Sequence, residues 1–229
     1  MSSIGVKVVA FDFDGVFVFD SDAVFKREAW SMVFAEYAGR HEPFLAEAFA
    51  LYGNGKSGGR VEMLQHVFEK LGESQGRISG LVARAERMFD AHVQRRIIEV
   101  GLAPGAMEML RGLSSCGIAL YINSGTATPA LALSIRNLGV GPFFRGILGS
   151  TNEPVGSSKV ENLRYILKRE SVAPEEVLVV GDGDSDREAA QATGCSFLGV
   201  ANRWNRWAEL GVPFPYITDL AGIPATIVR

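Results

Sequence analysis

Five acidic residues stand where apolar runs of the sequence end. They are Asp12 and Asp14 near the N-terminus, and Asp182, Asp184 and Asp186 far along the chain. Carboxylates that gather at one site repel one another and need a cation to balance them. Oxygen ligands of this kind favour Mg²⁺, which usually takes one or two carboxylates together with water and a substrate phosphate. We interpret Asp184 as a solvated acid or helix cap and the other four as candidate members of a magnesium site.

Groups that could hold a phosphate follow the same kind of apolar run. Ser124, Gly125 and Thr126 come after a run that ends at Asn123, and Lys159 follows a Gly-Ser turn at the start of a helical pattern. A hydroxyl, backbone amides near glycine and an ammonium supply the donors that phosphate needs. A carboxylate can attack phosphorus to form an acyl phosphate, which splits hydrolysis into two easier steps. The residue types therefore fit phosphoryl chemistry; we interpret Thr126 as a helix-start residue only.

The elements that must position these groups are strands alternating with helices. Short apolar runs bounded by turn residues predict buried strands over 6–13, 119–123, 177–180 and 196–200. A polar and alanine-rich stretch predicts a helix over 184–192. Strand, helix, strand repeats favour an α/β fold whose parallel sheet is covered on both faces. Ligands of such sheets bind beyond the carboxyl ends of the strands, and the candidate residues lie at those ends.

Residues 21–99 show a different pattern, in which no convincing strand occurs. The segments with apolar residues at helical spacing are 25–37, 42–52, 60–71 and 78–98. A glycine-rich stretch from Gly53 to Gly59 interrupts them. We therefore predict two domains: a core formed by 1–20 and 100–229, and an all-helical domain over 21–99 that is inserted after the first strand.

Composition excludes several classes of protein. The 229 residues include 21% charged residues and carry a net charge of −3, which lacks the basic character of nucleic-acid binders. The longest apolar runs are far too short to span a bilayer, and the N-terminus shows no secretory signal. The two cysteines, Cys116 and Cys195, are expected to be reduced thiols. We expect a cytoplasmic monomer or dimer that binds neither nucleic acid nor membrane.

Four segments together resemble the motifs of the haloacid dehalogenase superfamily of phosphohydrolases. They are Asp12-Phe13-Asp14-Gly15-Val16, the apolar strand that ends at Ser124, Lys159 at a helix start, and Gly181-Asp182-Gly183-Asp184-Ser185-Asp186. Each motif alone is weak, but all four occur in order over the whole chain. The helical insert is similar to the cap of phosphoglycolate phosphatases and β-phosphoglucomutases. The resemblance implies a Rossmann-like core and a helical cap that closes over the site and selects the substrate.

The resemblance also implies a role for each motif residue. Asp12 would be the nucleophile that forms an aspartyl-phosphate, and Asp14 the general acid and base. Ser124, with Gly125, and Lys159 would bind the phosphate. Mg²⁺ would be held by Asp12, the backbone carbonyl of Asp14, Asp182 and Asp186. The expected activity is Mg²⁺-dependent hydrolysis of a small phosphate monoester, such as a sugar phosphate or phosphoglycolate.

Two further segments carry residues that could contact a ligand. In the glycine-rich part of the insert, Lys56 and Arg60 are cations that suit an anionic substrate, and the glycines permit close approach. Near the C-terminus, Trp204 and Trp207 stand three residues apart on a possible helix. We expect both tryptophans to pack on the core.

Three other functions stay open at this point. A phosphomutase would use the same core but return the phosphoryl group to a sugar. A dehalogenase would need no metal, and the position of Asp14 would then not be an acid. A silent binding module is disfavoured because burying an unneeded carboxylate cluster destabilises a fold.

Overall fold

A parallel β-sheet forms the centre of the structure, a computed structural model that describes residues 5–52, 59–151 and 158–223. The strands are β1 (Val8–Phe11), β2 (Ala119–Ala127), β3 (Phe144–Ser150), β4 (Val177–Gly181), β5 (Ser196–Val200) and β6 (Tyr216–Ile217). Within the described residues the sheet has six strands in the order β3-β2-β1-β4-β5-β6, and all neighbouring pairs are parallel. The predicted α/β fold with a parallel sheet is confirmed.

Helices occur in the connections between the strands and throughout the described part of the insert. They are α1 (Lys26–Val33), α2 (Glu42–Tyr52), α3 (Arg60–Lys70), α4 (Gln75–Val100), α5 (Ala106–Ser115), α6 (Thr128–Asn137), α7 (Lys159–Glu170), α8 (Asp184–Thr193) and α9 (Trp207–Leu210). A π-helical turn over Ser21–Phe25 and a 3₁₀ turn over Ala35–Tyr37 flank α1. The single helix predicted over 25–37 is therefore three short helical segments.

The central strand β1 explains why the sheet is buried on both sides. Val8 and Ala10 point to one face and Val9 and Phe11 to the other, and all four are buried. Alternate residues of a strand face opposite sides, so a strand that is apolar throughout needs a helix layer on each side. On one face the apolar residues of α7 and α8 close the core: Leu163, Ile166, Ala189 and Ala190 pack with Val8, Ala10, Val177 and Val179.

The register of the strands brings their ends to one edge. Phe11 lies beside Ile122 of β2 on one side and beside Val180 of β4 on the other. The next residue, Asp12, continues the ladder, because its backbone N–H donates to the Val180 carbonyl at 2.8 Å. The residues that follow β1, β2 and β4 therefore meet at the carboxyl edge of the sheet.

Two strands were not predicted from the sequence. β3 pairs with β2 at one edge of the sheet, but Arg145, Gly146 and Gly149 interrupt its apolar pattern. β6 has two residues and lies between prolines and a turn, so it is too short to show the alternation of apolar and polar residues that predicts a strand. Edge and very short strands lose the continuous apolar run that marks a central strand.

The chain divides into two compact units, one of residues 1–20 with 97–229 and the other of residues 21–96. The second unit is helical, and its interior is aromatic. Trp30 lies 4.6 Å from Phe89 between ring centroids, and Phe34 lies 5.4 Å from Phe68. The boundaries at 20 and 100 and the roles of core and cap stay predictions. Among the described residues, every helix is too short or too polar to cross a membrane.

A glycine at the β2–β3 contact gives a test of this packing. A Cβ added at Gly146 would lie 2.7 Å from Cε1 of Tyr121, whose ring is fully buried and cannot move aside. We expect Gly146→Ala to lower the free energy of unfolding by about 1–3 kcal/mol, measured by urea denaturation.

The matched control is Gly80→Ala in α4. Position 80 is exposed, and the added methyl would meet no described atom within 4 Å beyond its own helix. Replacing a helix-interior glycine should raise the free energy of unfolding by about 0.5–1 kcal/mol. Equal changes in the two variants would contradict the tight contact at Tyr121.

Candidate active site

Asp12 is placed by the end of β1 and held through both carboxylate oxygens. The backbone N–H of Phe13 donates to Asp12 Oδ1 at 2.7 Å, and Lys159 Nζ donates to Asp12 Oδ2 at 2.7 Å. The residue is 8% exposed. Because a buried carboxylate is costly without such partners, these two contacts are what allow an acid to end an apolar strand.

Lys159 reaches the same point from the first turn of α7. Ser158 caps this helix by accepting a hydrogen bond from the Glu161 backbone at 3.2 Å. The Lys159 ammonium also donates to Asp186 Oδ1 at 2.7 Å, so it bridges two carboxylates. Burial by itself lowers the pKa of Lys159, but the charges of Asp12 and Asp186 outweigh it and hold this pKa above its ordinary value.

Asp186 lies in the first turn of α8 and is 1% exposed. Its Oδ2 also accepts from the Gly183 backbone at 3.3 Å, so it both caps the helix and contacts Lys159. A Cβ at Gly181 would lie 2.2 Å from Cγ of Asp186, which explains the glycine at the end of β4. Burial, followed by the charge of Asp12, raises the pKa of the Asp186 carboxyl to about 8.

Three carboxylates converge where a cation would fit. Oxygen atoms of Asp12, Asp182 and Asp186 all lie within 4.8 Å of one another. With all three ionised, the ammonium of Lys159 leaves an excess of two negative charges. Burial raises the pKa of Asp186 most, and the charge of Asp12 raises it further. An all-oxygen donor set with this charge fits a hard divalent cation.

Gly15 shapes the turn after Asp14. Its φ of +73° lies in the left-handed region, and a Cβ there would lie 1.9 Å from Asp182 Oδ2. Both observations exclude a larger residue, because the Asp182 carboxylate packs against the bare Cα. The turn at Gly15 and the carboxylate of Asp182 therefore pack directly against each other.

Asp14 has a partner that the sequence interpretation missed. Thr126 Oγ1 donates to Asp14 Oδ2 at 2.6 Å, and Asp14 is 5% exposed. The interpretation of Thr126 as only a helix-start residue was wrong: it lies in β2, and α6 begins two residues later. The strand extends beyond Asn123 and carries this hydroxyl to the edge where Asp14 stands.

Ser124 and Gly125 lie on the same extension of β2. Ser124 is buried, and its Oγ accepts from the Thr126 backbone at 3.2 Å. Gly125 is exposed, and a Cβ there would meet no described atom within 4 Å. The backbone at Gly125 is therefore open to close approach by a ligand.

Buried asparagines support the site and were not singled out from the sequence. Asn123 Nδ2 donates to the Lys159 carbonyl at 3.1 Å, and Asn162 Nδ2 donates to Asn123 Oδ1 at 2.9 Å. These contacts join the end of β2 to the turn of α7 that carries Lys159. The sequence does contain one signal for such a residue, namely a polar residue inside an apolar run. A polar side chain that is buried needs a hydrogen-bond partner.

The remaining predicted residues lie elsewhere. Arg60 begins α3 in the helical unit, where it donates to Asp90 Oδ1 at 2.6 Å and stacks over the Phe89 ring at 4.5 Å from its centroid. Lys56 falls outside the described residues. Asp184 is exposed and pairs with Arg187 at 3.1 Å, in agreement with its interpretation as a solvated acid.

The chain has relatives among known proteins. The model of the haloacid dehalogenase-like hydrolase family matches residues 6–194, which is most of the chain. The chain belongs to this family. It is therefore a hydrolase by family, and the predicted resemblance of the chain to this family is confirmed.

Relatives and solved structures agree with the family. The chain is 27% identical over 212 residues to a phosphoglycolate phosphatase of Yersinia pseudotuberculosis, covering 92% of this chain and 87% of that protein. The magnesium-bound structure of the hydrolase YfnB from Bacillus subtilis has a TM-score of 0.70 at 17% identity, covering 98% of this chain and 100% of that one. β-Phosphoglucomutase of Clostridium difficile has a TM-score of 0.66 at 17% identity, with the same coverage. These structural likenesses concern the fold.

The contact between Thr126 and Asp14 can be tested by an isosteric change. Thr126→Val removes the hydroxyl that orients Asp14 but keeps the shape of the side chain. We expect kcat for p-nitrophenyl phosphate to fall by roughly tenfold, because a hydrogen bond to a charged group is worth about 1.5–3 kcal/mol.

Thr128→Val is the matched control for this change. Thr128 is at the start of α6, and its hydroxyl makes a weak contact of 3.4 Å to the Ser150 carbonyl. Its kcat should stay near that of the wild type. Equal losses in both variants would show that Thr126 acts through general stability of the strand end.

Proposed function

We propose that this chain is a Mg²⁺-dependent phosphatase that hydrolyses a small phosphate monoester through an aspartyl-phosphate on Asp12. The observation that carries the proposal is the position of the Asp12 carboxylate. It stands at the sheet edge, 2.7 Å from the Lys159 ammonium and within 4.8 Å of carboxylate oxygens of Asp182 and Asp186. A carboxylate in such a place can act as a nucleophile while neighbouring cations absorb the charge of a phosphoryl group.

The first step transfers the phosphoryl group to Asp12. An Asp12 oxygen forms a bond to phosphorus, and the bond from phosphorus to the ester oxygen breaks. Asp14 gives its proton to that leaving oxygen, so the alcohol departs neutral. The hydrogen bond from Thr126 to Asp14 Oδ2 supports this role, because it orients the carboxyl group two residues after the nucleophile.

The second step returns Asp12 to its starting state. Asp14, now ionised, takes a proton from a water molecule, whose oxygen bonds to phosphorus as the bond to Asp12 breaks. Inorganic phosphate leaves, and both carboxyl groups are ready for another cycle. Asp14 can serve first as the acid and then as the base, because its carboxyl group follows Asp12 in the turn before Gly15.

The proposed phosphate donors come from the end of one strand, β2, and from the first turn of one helix, α7. We assign Ser124, the open backbone at Gly125 and the Lys159 ammonium to the phosphoryl oxygens. Backbone amides and an ammonium stabilise the charge of a transferring phosphoryl group without any covalent part in the reaction.

Mg²⁺ is the proposed cofactor, held by Asp12, the backbone carbonyl of Asp14, Asp182 and Asp186. When bound it would neutralise phosphate charge and orient the phosphoryl group against Asp12. The convergence of three carboxylates with an excess negative charge supports this assignment. Asp186 is also bound to Lys159, and we therefore give it a supporting place in the set.

The helical unit is the proposed cap that selects the substrate. Arg60 is our candidate for contact with a substrate anion, with Lys56 as a second candidate. The assignment of Arg60 rests on its positive charge, since within the helical unit the guanidinium pairs with Asp90 and stacks on Phe89. The similarity to a phosphoglycolate phosphatase makes phosphoglycolate one substrate to test beside sugar phosphates.

A phosphomutase is the second candidate, because the fold is also that of β-phosphoglucomutase. Phosphorus NMR of the products separates the two. A phosphatase releases inorganic phosphate from a phosphate monoester, whereas a mutase returns the group to a hexose phosphate at another position. A screen of phosphorylated metabolites under the same conditions would identify the substrate.

The nucleophile is tested by Asp12→Asn. An amide cannot form the acyl phosphate, so we expect turnover of p-nitrophenyl phosphate to fall by at least about 10³-fold. Circular dichroism should show an unchanged fold, because the replacement has the same shape. The matched control is Asp184→Asn, which removes an exposed acid of the fourth motif and should leave turnover near the wild-type value. Retained turnover in Asp12→Asn would contradict the assignment.

The metal is tested by removal. EDTA should abolish hydrolysis, and added Mg²⁺ should restore it. Mg²⁺ should also raise the melting temperature of the wild-type protein, since it binds the folded state and relieves carboxylate repulsion. Asp182→Asn should reduce this rise. Full activity in EDTA would instead favour the dehalogenase alternative.

A further inference from the structure

The segment 202–206, directly after β5, contacts the acid cluster. The Asn202 amide group donates from Nδ2 to Asp182 Oδ2 at 2.8 Å and lies 3.4 Å from the Gly15 carbonyl. Since β1, β4 and β5 are neighbours in the sheet, this one side chain joins the residues that follow three adjacent strands.

Asn205 fixes the segment in place. Its Nδ2 donates to the Asp182 carbonyl at 3.1 Å and to the Val200 carbonyl at 2.8 Å. Its Oδ1 accepts from the backbone N–H groups of Asn202 at 3.0 Å and Trp207 at 3.1 Å. Arg206 has φ of +55°, a conformation that residues with side chains rarely adopt and that persists only where surrounding contacts enforce it.

The same segment holds Asp20, the last residue before the helical unit begins at Ser21. Arg203 Nη2 donates to Asp20 Oδ1 at 2.6 Å, and Trp204 Nε1 donates to the same oxygen at 3.0 Å. The Arg203 guanidinium lies 4.8 Å from the Trp204 ring centroid. The expectation that Trp204 packs on the core was wrong, since it is 45% exposed, whereas Trp207 is buried as expected.

The chemical type of Asn202 suits a positioning role. A lysine or arginine at this point would cancel the charge of Asp182 and compete with a divalent cation. A neutral amide orients the carboxylate and leaves its charge intact. Partners of this kind, one shell away from a metal, typically change metal affinity by 10–100-fold when removed.

We propose that segment 202–206 couples two residues, the acid Asp182 and Asp20, which is the last residue before the helical unit and is called the linker below. Asn202 and Asn205 position Asp182. Arg203 and Trp204 hold Asp20. This inference rests on the proposed Mg²⁺ site. If cation binding requires the Asp182 position that Asn202 enforces, then releasing Asp20 loosens the segment and weakens cation binding. By reciprocity, the cation strengthens the hold on Asp20.

The first test is Asn202→Ser, with MgCl₂ titrations followed by calorimetry on the full chain. A serine hydroxyl can still accept from the backbone N–H groups of Trp204 and Asn205, which Asn202 Oδ1 now does at 2.9 Å and 3.0 Å. It is too short to keep the contact with Asp182. We expect the dissociation constant for Mg²⁺ to rise about tenfold, while KM for the phosphate ester changes little at saturating Mg²⁺.

The second test uses Arg203→Gln, because electrostatics alone and the proposed coupling predict opposite changes in the affinity for Mg²⁺. Removing a positive charge should tighten Mg²⁺ binding if electrostatics alone matter. The coupling predicts weaker binding, by a few-fold, because Asp20 loses its ion pair with the segment. Arg206→Gln is the matched control: its arginine pairs with Glu209 at 2.7 Å, and it should not weaken Mg²⁺ binding.

The outcomes separate this inference from the proposed function. Weaker Mg²⁺ binding in both Asn202→Ser and Arg203→Gln, with wild-type or tighter binding in Arg206→Gln, supports the coupling. Wild-type or tighter binding in Arg203→Gln overturns the coupling to Asp20, and wild-type binding in Asn202→Ser overturns the positioning of Asp182. Absence of any Mg²⁺ signal in the wild-type protein would contradict the metal site itself and the inference with it.

Discussion

The bridge from Lys159 to Asp12 and Asp186 is the interaction on which the site depends. Its two contacts join residues 147 and 27 positions apart in sequence, each at 2.7 Å. A buried ammonium and a buried carboxylate are each costly alone, and each is tolerable here because the other is present. The bridge therefore connects the end of β1 to α7 and α8 at the proposed site of the reaction. The same contacts stabilise the fold and hold the candidate catalytic groups.

The parallel sheet makes that bridge possible. Because β1 lies between β2 and β4 in register, Asp12 has the end of β2 on one side and the end of β4 on the other. Gly15 and Gly181 then permit the acids to approach, since a side chain at either position would collide with a carboxylate. Carboxylates held this close carry an excess negative charge when they are ionised, and the charge of Asp12 adds to burial in raising the pKa of Asp186. That excess is the physical reason for assigning a divalent cation to the cluster.

Neutral polar groups add to the support that the Lys159 ammonium gives the acids. Thr126 holds Asp14, Asn202 holds Asp182, and Asn123 holds the turn that carries Lys159. Neutral donors fix the orientation of a carboxylate without cancelling its charge, so the acids stay available to a cation or a phosphoryl group. The segment after β5 extends this support to Asp20, and it places the linker and the acid cluster in one hydrogen-bonded network.

The sequence by itself determined the central strands, the helical character of the insert and the family, because apolar period, turn residues and four ordered motifs are local signals. It also singled out the acids, because a carboxylate at the end of an apolar strand is costly to bury without a partner, and Lys159, because it begins a helical pattern after a Gly-Ser turn. Only the tertiary structure decided the edge strands β3 and β6, which lack a continuous apolar run. It alone revealed Thr126, Asn123 and Asn202, since a threonine or asparagine is unremarkable in sequence. Such residues gain a role only when folding brings a distant carboxylate or carbonyl within hydrogen-bonding distance.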